Sequence, residues 1–370
     1  MTYPSPIQDY LANYKIPCGE VENSTNREGA STGIYQEQLL SEFLPWGETS
    51  CTILASAGIV ELEYASIQKS CGVFDAACRG TIKVKGGDCF DFIERLSTQK
   101  FDNFIQGDSL LAFFVNRQGK IVADTIIHHH EDCVLIDVDI TVVDALIEHL
   151  SKYAVMEDIQ IQDITSDFHW LWLIGPDAIK WSDETASFTL PMAFLGVECK
   201  ALFVNAANAS QLWETLIASD MRPIGWYAIN MSRVENRAVM FLIDFDTSSL
   251  PHESSAIDSR VSFSKGCYLG QEVIARMHSL GKPKRSLVSL KIKSDVLPIA
   301  GSQLWSEKNA HDSPIGVVTS SAISPKYSGS SSIIAMVSKK FIAENTILYV
   351  YVGAELFEVT VHSLSFARES

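Results

Sequence analysis

Residues 261–276 read VSFSKGCYLGQEVIAR. Gly266 and Gly270 open backbone conformations closed to residues with a Cβ. Gln271 and Glu272 then begin a helical pattern that continues through Val273, Ile274 and Met277. At the centre lies Cys267, between a glycine and an aromatic residue, with Lys265 two positions earlier. A nearby ammonium and the positive end of a helix both favour the thiolate, which is the reactive form of cysteine. The stretch therefore reads as a candidate activated thiol. The alternative is an inert cysteine in a tight, glycine-punctuated turn.

Immediately upstream, residues 233–237 read RVENR, followed by Asp244 and by Pro251-His252-Glu253. Read by themselves, Arg233 and Glu235 form a surface ion pair, which contributes little when exposed. Further back, Leu110 to Val115 (LLAFFV) is an apolar strand, Asn116-Arg117-Gln118-Gly119 has turn chemistry, and Lys120 to His128 is the return strand. The hairpin carries Asp124 on its return strand. Read by itself, it is a strand-end carboxylate bonded to backbone. His128 and His130 share a strand face, but no third ligand with suitable spacing accompanies them, so no metal site is expected. Trp170 and Trp172 read as core.

Periodicity elsewhere predicts a short amphipathic helix over 59–70, a strand over 81–84, and a helix over 90–96 capped by Asp88 or Asp91. Further strands are expected over 133–138, 158–164 and 170–174, with a helix over 142–153. Strand–helix–strand order with antiparallel pairing suggests a ferredoxin-like α+β unit. After Arg285 the helix signals nearly vanish. Short strands over 287–292, 315–319, 332–337, 346–352 and 356–361 indicate a small β-barrel or sandwich, with Ser328 to Ser332 as a loop.

The chain has 370 residues, 46% hydrophobic and 20% charged, which suits two or three globular domains. A net charge of -16 disfavours nonspecific binding to nucleic acid or anionic lipid. The basic cluster Lys282, Lys284 and Arg285, close to Arg276, reads as a solvated loop. Eight scattered cysteines, with no C-x-x-C spacing, fit free thiols in a reducing compartment. The first residues carry no secretory pattern, the polar stretch at 24–32 reads as a loop, and no apolar run is long enough to span a bilayer. A cytoplasmic location is expected.

The octapeptide Lys265-Gly-Cys-Tyr-Leu-Gly-Gln-Glu272 resembles the K-G-C-Y-x-G-Q-E signature of the YgfZ family, a branch of the glycine cleavage T-protein superfamily. The segments CGVFDAACRG (71–80), RVENR and the Asn116–Asp124 hairpin resemble the wider superfamily, and the resemblance runs from about residue 59 to about 365. It implies an α+β T-protein-like fold around a central folate channel. The implied parts are an N-terminal extension (1–50), a Greek-key-like folate-binding domain (51–130 and 225–284), a ferredoxin-like domain (131–224) and a C-terminal β-barrel (285–370). It also implies tetrahydrofolate or a one-carbon derivative as cofactor, and iron–sulfur client enzymes or assembly factors as partners of a monomer. Cys267, Lys265 and Asp124 become the functional residues. Glu235, Arg233, Asn116, Asp124, Gly270, Gln271 and Arg276 become the folate-binding set, with Glu235 facing the pterin. The function implied is that of a folate-binding accessory protein for iron–sulfur cluster assembly or repair. The alternative is a tetrahydrofolate-dependent aminomethyl- or methyltransferase. Where transferases carry a pair of aspartates this chain has Ala123 and Asp124, and Leu111 stands near a position where they tend to place tyrosine.

Overall fold

Residues 79–163 fold into one antiparallel sheet because their apolar positions alternate on the pleat. The strands lie in the spatial order Ser109–Val115, Ile121–His130, Cys133–Asp139, Arg79–Lys85, Gln160–Asp163. Three consecutive hairpin-linked strands and an earlier one returning beside the third make a Greek key. Helix Cys89–Leu96 bridges the first and second strands in sequence, and helix Val143–Ser151 covers the step to the last. The computed structural model describes residues 4–13, 41–182, 188–191, 195–281, 283–308 and 313–362.

A second sheet has the order Phe188–Pro191, Cys199–Asn205, Phe168–Ile174, Gly72–Asp75, Arg222–Pro223. The strand Cys133–Asp139 shows how the two sheets pack. Val134, Ile136 and Val138 enter the core of the first sheet, while Cys133 and Leu135 enter a second core with Phe74, Trp170, Trp172 and Phe203. Every residue of this strand is buried, so its two acids, Asp137 and Asp139, share the face turned to the second sheet. Asp124 and Ile126 alternate onto that same face of the neighbouring strand, while Ala123 and Ile127 join the other core. The outer face of the second sheet is covered by helix Ala206–Ala218, with Ile7 and Leu11 packed into the same cluster.

The tail closes into a six-stranded barrel: Arg285–Ile292, Ser330–Ser338, Gly316–Ser324, Gln303–Trp305, Ile347–Val352 and Glu355–His362, the last pairing with the first. The α+β class and the C-terminal barrel expected from the sequence are the observed ones. Some particulars differ. Gln303–Trp305, only three residues long, gives too little alternation to read. Ser330 to Ser332, expected in a loop, opens a strand, and its serines are buried or half-buried. Asp88 precedes helix Cys89–Leu96 but does not cap it; its Oδ2 accepts from the Asp158 amide at 2.8 Å. The sheets also cut across the boundary expected at residue 131. Cys133–Asp139 and Gln160–Asp163 pair within the Greek key, whereas Gly72–Asp75 pairs with Phe168–Ile174. The polar stretch at 24–32, Cys18 and Lys282 lie outside the described residues. No helix of the described residues is long and apolar enough to cross a membrane.

Candidate functional site

The face between the sheets holds a narrow cavity lined by Arg79, Asp124, Asp139, Arg260, Met240 and Phe241, with Leu111 also in its wall. Asp124 is the sequence-predicted residue that reaches it. Its Oδ1 accepts from Arg260 Nε at 2.7 Å, with both side chains largely buried. Arg260 ends the short helix Ile257–Arg260, donates from Nη1 to Ser259 Oγ at 2.9 Å, and lies 5.7 Å from the Phe113 ring centroid. Its carbonyl accepts the Thr98 hydroxyl. Among the described residues, no partner takes Asp124 Oδ2 or Arg260 Nη2. The cavity thus offers a carboxylate acceptor and a guanidinium donor side by side, the pattern that binds a group carrying both an N–H and a carbonyl or carboxylate oxygen. Arg260 was missed in the sequence because nothing around it in AIDSRVS forms a pattern.

Most of the other predicted ligands are placed elsewhere. Glu235 is buried and does not line the cavity. Its Oε2 accepts from Tyr64 Oη at 2.6 Å, and its Oε1 from the Ser324 hydroxyl and the Lys326 amide. Arg233 is 1% exposed and donates from Nη1 to Asp244 Oδ2 at 2.7 Å and to the Ala238 carbonyl, and from Nη2 to Ser320 Oγ at 2.6 Å. Their burial rules out the surface-pair reading, and the chain's own groups take both Glu235 oxygens. The two side chains leave one helix, Trp226–Glu235, and fasten it to the barrel strand Gly316–Ser324 and to helix Val60–Lys69.

Asn116 is a turn residue: its Oδ1 accepts from the Gln118 and Lys120 amides at 2.9 and 3.1 Å, closing the hairpin tip. Gly270, at φ +77°, sits against that tip, and a Cβ there would stand 2.5 Å from the Asn116 carbonyl oxygen. Gly119 repeats the arrangement from the other side, its missing Cβ making room for Val273. The two segments read separately in the sequence therefore dock on each other through glycines. Gln271 reaches back to the Gly266 carbonyl at 3.2 Å, and Arg276 is exposed on helix Gln271–Leu280.

Cys267 is exposed, unlike the six other described cysteines, all buried free thiols. It precedes the helix by four residues rather than capping it. Lys265 is not its activator. The ammonium is buried and donates to the carbonyls of Glu94, Ser97 and Gln99 at 2.5, 2.9 and 2.8 Å, where helix Cys89–Leu96 ends. Burial pulls its pKa down to about 8, and Glu94 opposes that pull. At neutral pH the ammonium form remains the majority, with three donors for three carbonyls in the helix's last turn and just beyond it. Lys265 anchors the loop that displays Cys267.

On the histidine strand, His128 is buried with Nδ1 3.0 Å from Ser109 Oγ, and burial lowers its pKa to about 3. Among the described residues, no group of three or more His, Cys, Asp or Glu side chains is arranged to hold a metal ion. Arg285 pairs with Glu253 at 3.0 Å, so it is not a free basic group.

Residues 53–191 match the family model of the GCVT N-terminal domain. An aminomethyltransferase of Thermotoga maritima is 24% identical over 334 residues, covering 83% of this chain and 89% of that protein. One of Thermotoga neapolitana is 23% identical over 304 residues, covering 75% and 81%. The crystal structure of glycine cleavage system aminomethyltransferase T from Bartonella henselae superposes with a TM-score of 0.77 at 20% identity, covering 88% of this chain and 94% of that one. Residues 53–191 are thus similar to the GCVT N-terminal domain, and the chain shares the fold of aminomethyltransferase T.

Proposed function

We propose that this chain binds a reduced folate with the polar edge of its pterin at the small cavity between its sheets, about 40 Å³, and serves one-carbon chemistry there. The observation that carries the reading is Asp124. It lines a cavity in a fold shared with an aminomethyltransferase, with one oxygen held by Arg260 and the other without a partner among the described residues. A reduced pterin presents N–H donors and a carbonyl, which complement a carboxylate and a guanidinium held side by side. Asp124 and Arg260 would hold the folate. Met240, Phe241 and Leu111 line the rest of the cavity. Tetrahydrofolate, once bound, supplies a secondary amine that accepts a one-carbon unit. The chain's part is to orient that amine on Asp124 and to exclude water. Arg260 fixes the carboxylate, as preorganised sites require.

The names of the relatives favour aminomethyl transfer to folate as the use made of the site. Calorimetric titration with tetrahydrofolate tests binding, and turnover with aminomethylated carrier protein or N-methylated amino acids tests transfer. Asp124→Asn is expected to weaken tetrahydrofolate roughly 10- to 100-fold, the usual worth of a charged hydrogen bond.

A second reading is supported by Cys267. The intact signature resembling the YgfZ family displays an exposed thiol on a loop fastened by Lys265. In that reading the folate-bound protein assists iron–sulfur cluster assembly or repair in client enzymes. A lone thiolate does not hold a cluster, so any cluster contact is shared with the client. Cys267→Ser, introduced in the native host, is expected to lower iron–sulfur enzyme activities under oxidative stress while leaving folate affinity unchanged. Unaltered activities would remove the second reading and leave the first standing.

A further inference from the structure

A continuous set of hydrogen bonds joins the cavity to the loop that displays Cys267. Its centre is the segment Ser97-Thr98-Gln99, directly after helix Cys89–Leu96. Ser97 and Thr98 are 0% exposed. On one side the segment is tied to the hairpin strand Ser109–Val115. The Thr98 amide donates to the Phe113 carbonyl at 2.9 Å, and the Phe113 amide donates to Thr98 Oγ1 at 2.9 Å. On the other side it is tied to the chain around Arg260. Thr98 Oγ1 donates to the Arg260 carbonyl at 2.5 Å, and the Ser262 amide donates to the Thr98 carbonyl at 3.0 Å. The Gln99 side chain spans both sides: its Nε2 donates to the Leu111 carbonyl at 3.3 Å and to the Ser259 carbonyl at 3.2 Å. Leu111 lines the cavity, and Ser259 Oγ accepts from Arg260 Nη1. The Lys265 ammonium completes the set by holding the Ser97 and Gln99 carbonyls.

Each of these bonds is modest alone. Most of their donors and acceptors are shielded from water, so a broken bond leaves a group without an alternative, and the set holds or fails together. Thr98, Gln99 and Lys265 do not line the cavity. They fix where the Arg260 backbone lies, and Arg260 Nε in turn fixes Asp124. We propose that Thr98 and Gln99 are positioning residues for Arg260, and that through them the Cys267 loop and the Asp124–Arg260 site form one coupled unit. A ligand that favours the ordered Arg260 also favours the anchored Lys265, and the coupling runs equally in both directions. Folate occupancy therefore steadies the loop that displays Cys267, and release of Lys265 loosens the folate. The inference rests on the folate reading for its ligand, and on the hydrogen bonds alone for the coupling.

The test reads Lys265 itself. Its nitrogen is 7% exposed as part of the residue and must leave its carbonyls before an acetyl N-hydroxysuccinimide ester can take it. Acetylation at Lys265, followed site by site with mass spectrometry, therefore reports release of the loop, with the exposed Lys326 as control. Without folate, Asp124→Asn is expected to speed Lys265 acetylation at least about threefold, within the range of couplings through packed networks. Gln99→Met keeps the carbonyl that Lys265 holds and removes the bridging amide. In that background Asp124→Asn is expected to add nothing. With saturating tetrahydrofolate, Lys265 of wild type is expected to react at least about threefold more slowly while Lys326 is unchanged. Gln99→Met is expected to lose that protection and to bind tetrahydrofolate roughly three- to tenfold more weakly. A Lys265 rate indifferent to Asp124→Asn would overturn the inference, as would an Asp124→Asn effect undiminished by Gln99→Met. Bound tetrahydrofolate without protection of Lys265 would overturn it too. A Gln99→Met protein that unfolds more easily but keeps the protection would also overturn it, and would leave Gln99 a purely structural residue. Failure of wild type to bind tetrahydrofolate strikes the folate reading instead, and the folate-free comparison still decides the coupling.

Discussion

Arg233→Met is expected to destabilise the protein by about 3–5 kcal/mol, the cost of leaving one partner of a buried pair uncompensated. The orphan would be Asp244, whose side chain is 0% exposed. It also accepts from the Met240 amide and from the Thr319 and Ser320 hydroxyls, so it cannot turn to water without breaking the attachment of the barrel. The Arg233 guanidinium is the element's only counter-charge in direct contact among the described residues, and it lies 5.5 Å from the Trp226 ring centroid. Denaturant unfolding followed by tryptophan fluorescence measures the loss. Arg233→Met/Asp244→Asn removes both charges and is expected to recover part of it. A single-variant cost below about 1 kcal/mol, the range of exposed pairs, would show that this network does not fasten helix to barrel.

The second large effect is expected at Gly270. Alanine there must hold φ near +77° and bring a Cβ to 2.5 Å from the Asn116 carbonyl oxygen, with Val115 Cγ2 at 3.0 Å. The left-handed conformation alone costs about 1–2 kcal/mol for a residue with a Cβ. The clash is with backbone, which cannot swing aside, so a total of at least about 2–3 kcal/mol is expected. Gly266 in the same octapeptide gives the control. A Cβ there meets nothing within 4 Å, and Gly266→Ala is expected to stay within about 0.5 kcal/mol. Comparing the two by thermal unfolding separates the docking of the loop on the hairpin from the general flexibility of glycine. Equal effects would contradict the docking.

The sequence was most informative where one local period set the outcome. The hairpin Ser109–Val115 and Ile121–His130, the helix Val60–Lys69 and five of the six barrel strands lie within a few residues of the positions their alternation or helical spacing predicts. Sheet membership was not legible in this way. Gly72–Asp75 pairs with Phe168–Ile174, about a hundred positions later, and no local pattern records that partner. The site residues divide similarly. Asp124 was legible because it lies on a recognisable hairpin. Its partner Arg260 is 136 positions away and Arg79 stands in an ordinary strand opening, so neither was found. Lys265 was misread because it is adjacent to Cys267 along the chain, whereas its long side chain reaches carbonyls some 170 positions earlier. Glu235 differs from expectation in a related way. A motif glutamate was expected to face ligand, but Tyr64 and Ser324 close on both its oxygens.

These placements move the centre of the account away from the octapeptide. Lys265, Gly270 and Gln271 build and dock a loop, and Cys267 is what the loop displays. The chemistry assigned to folate depends instead on Asp124 and Arg260. The most direct test is calorimetric titration of tetrahydrofolate into wild type and Asp124→Asn, with unfolding curves confirming that both are folded. The account predicts one-to-one binding to wild type and affinity weakened roughly 10- to 100-fold in the variant. Equal affinity in the two proteins, or no binding to wild type, would contradict it.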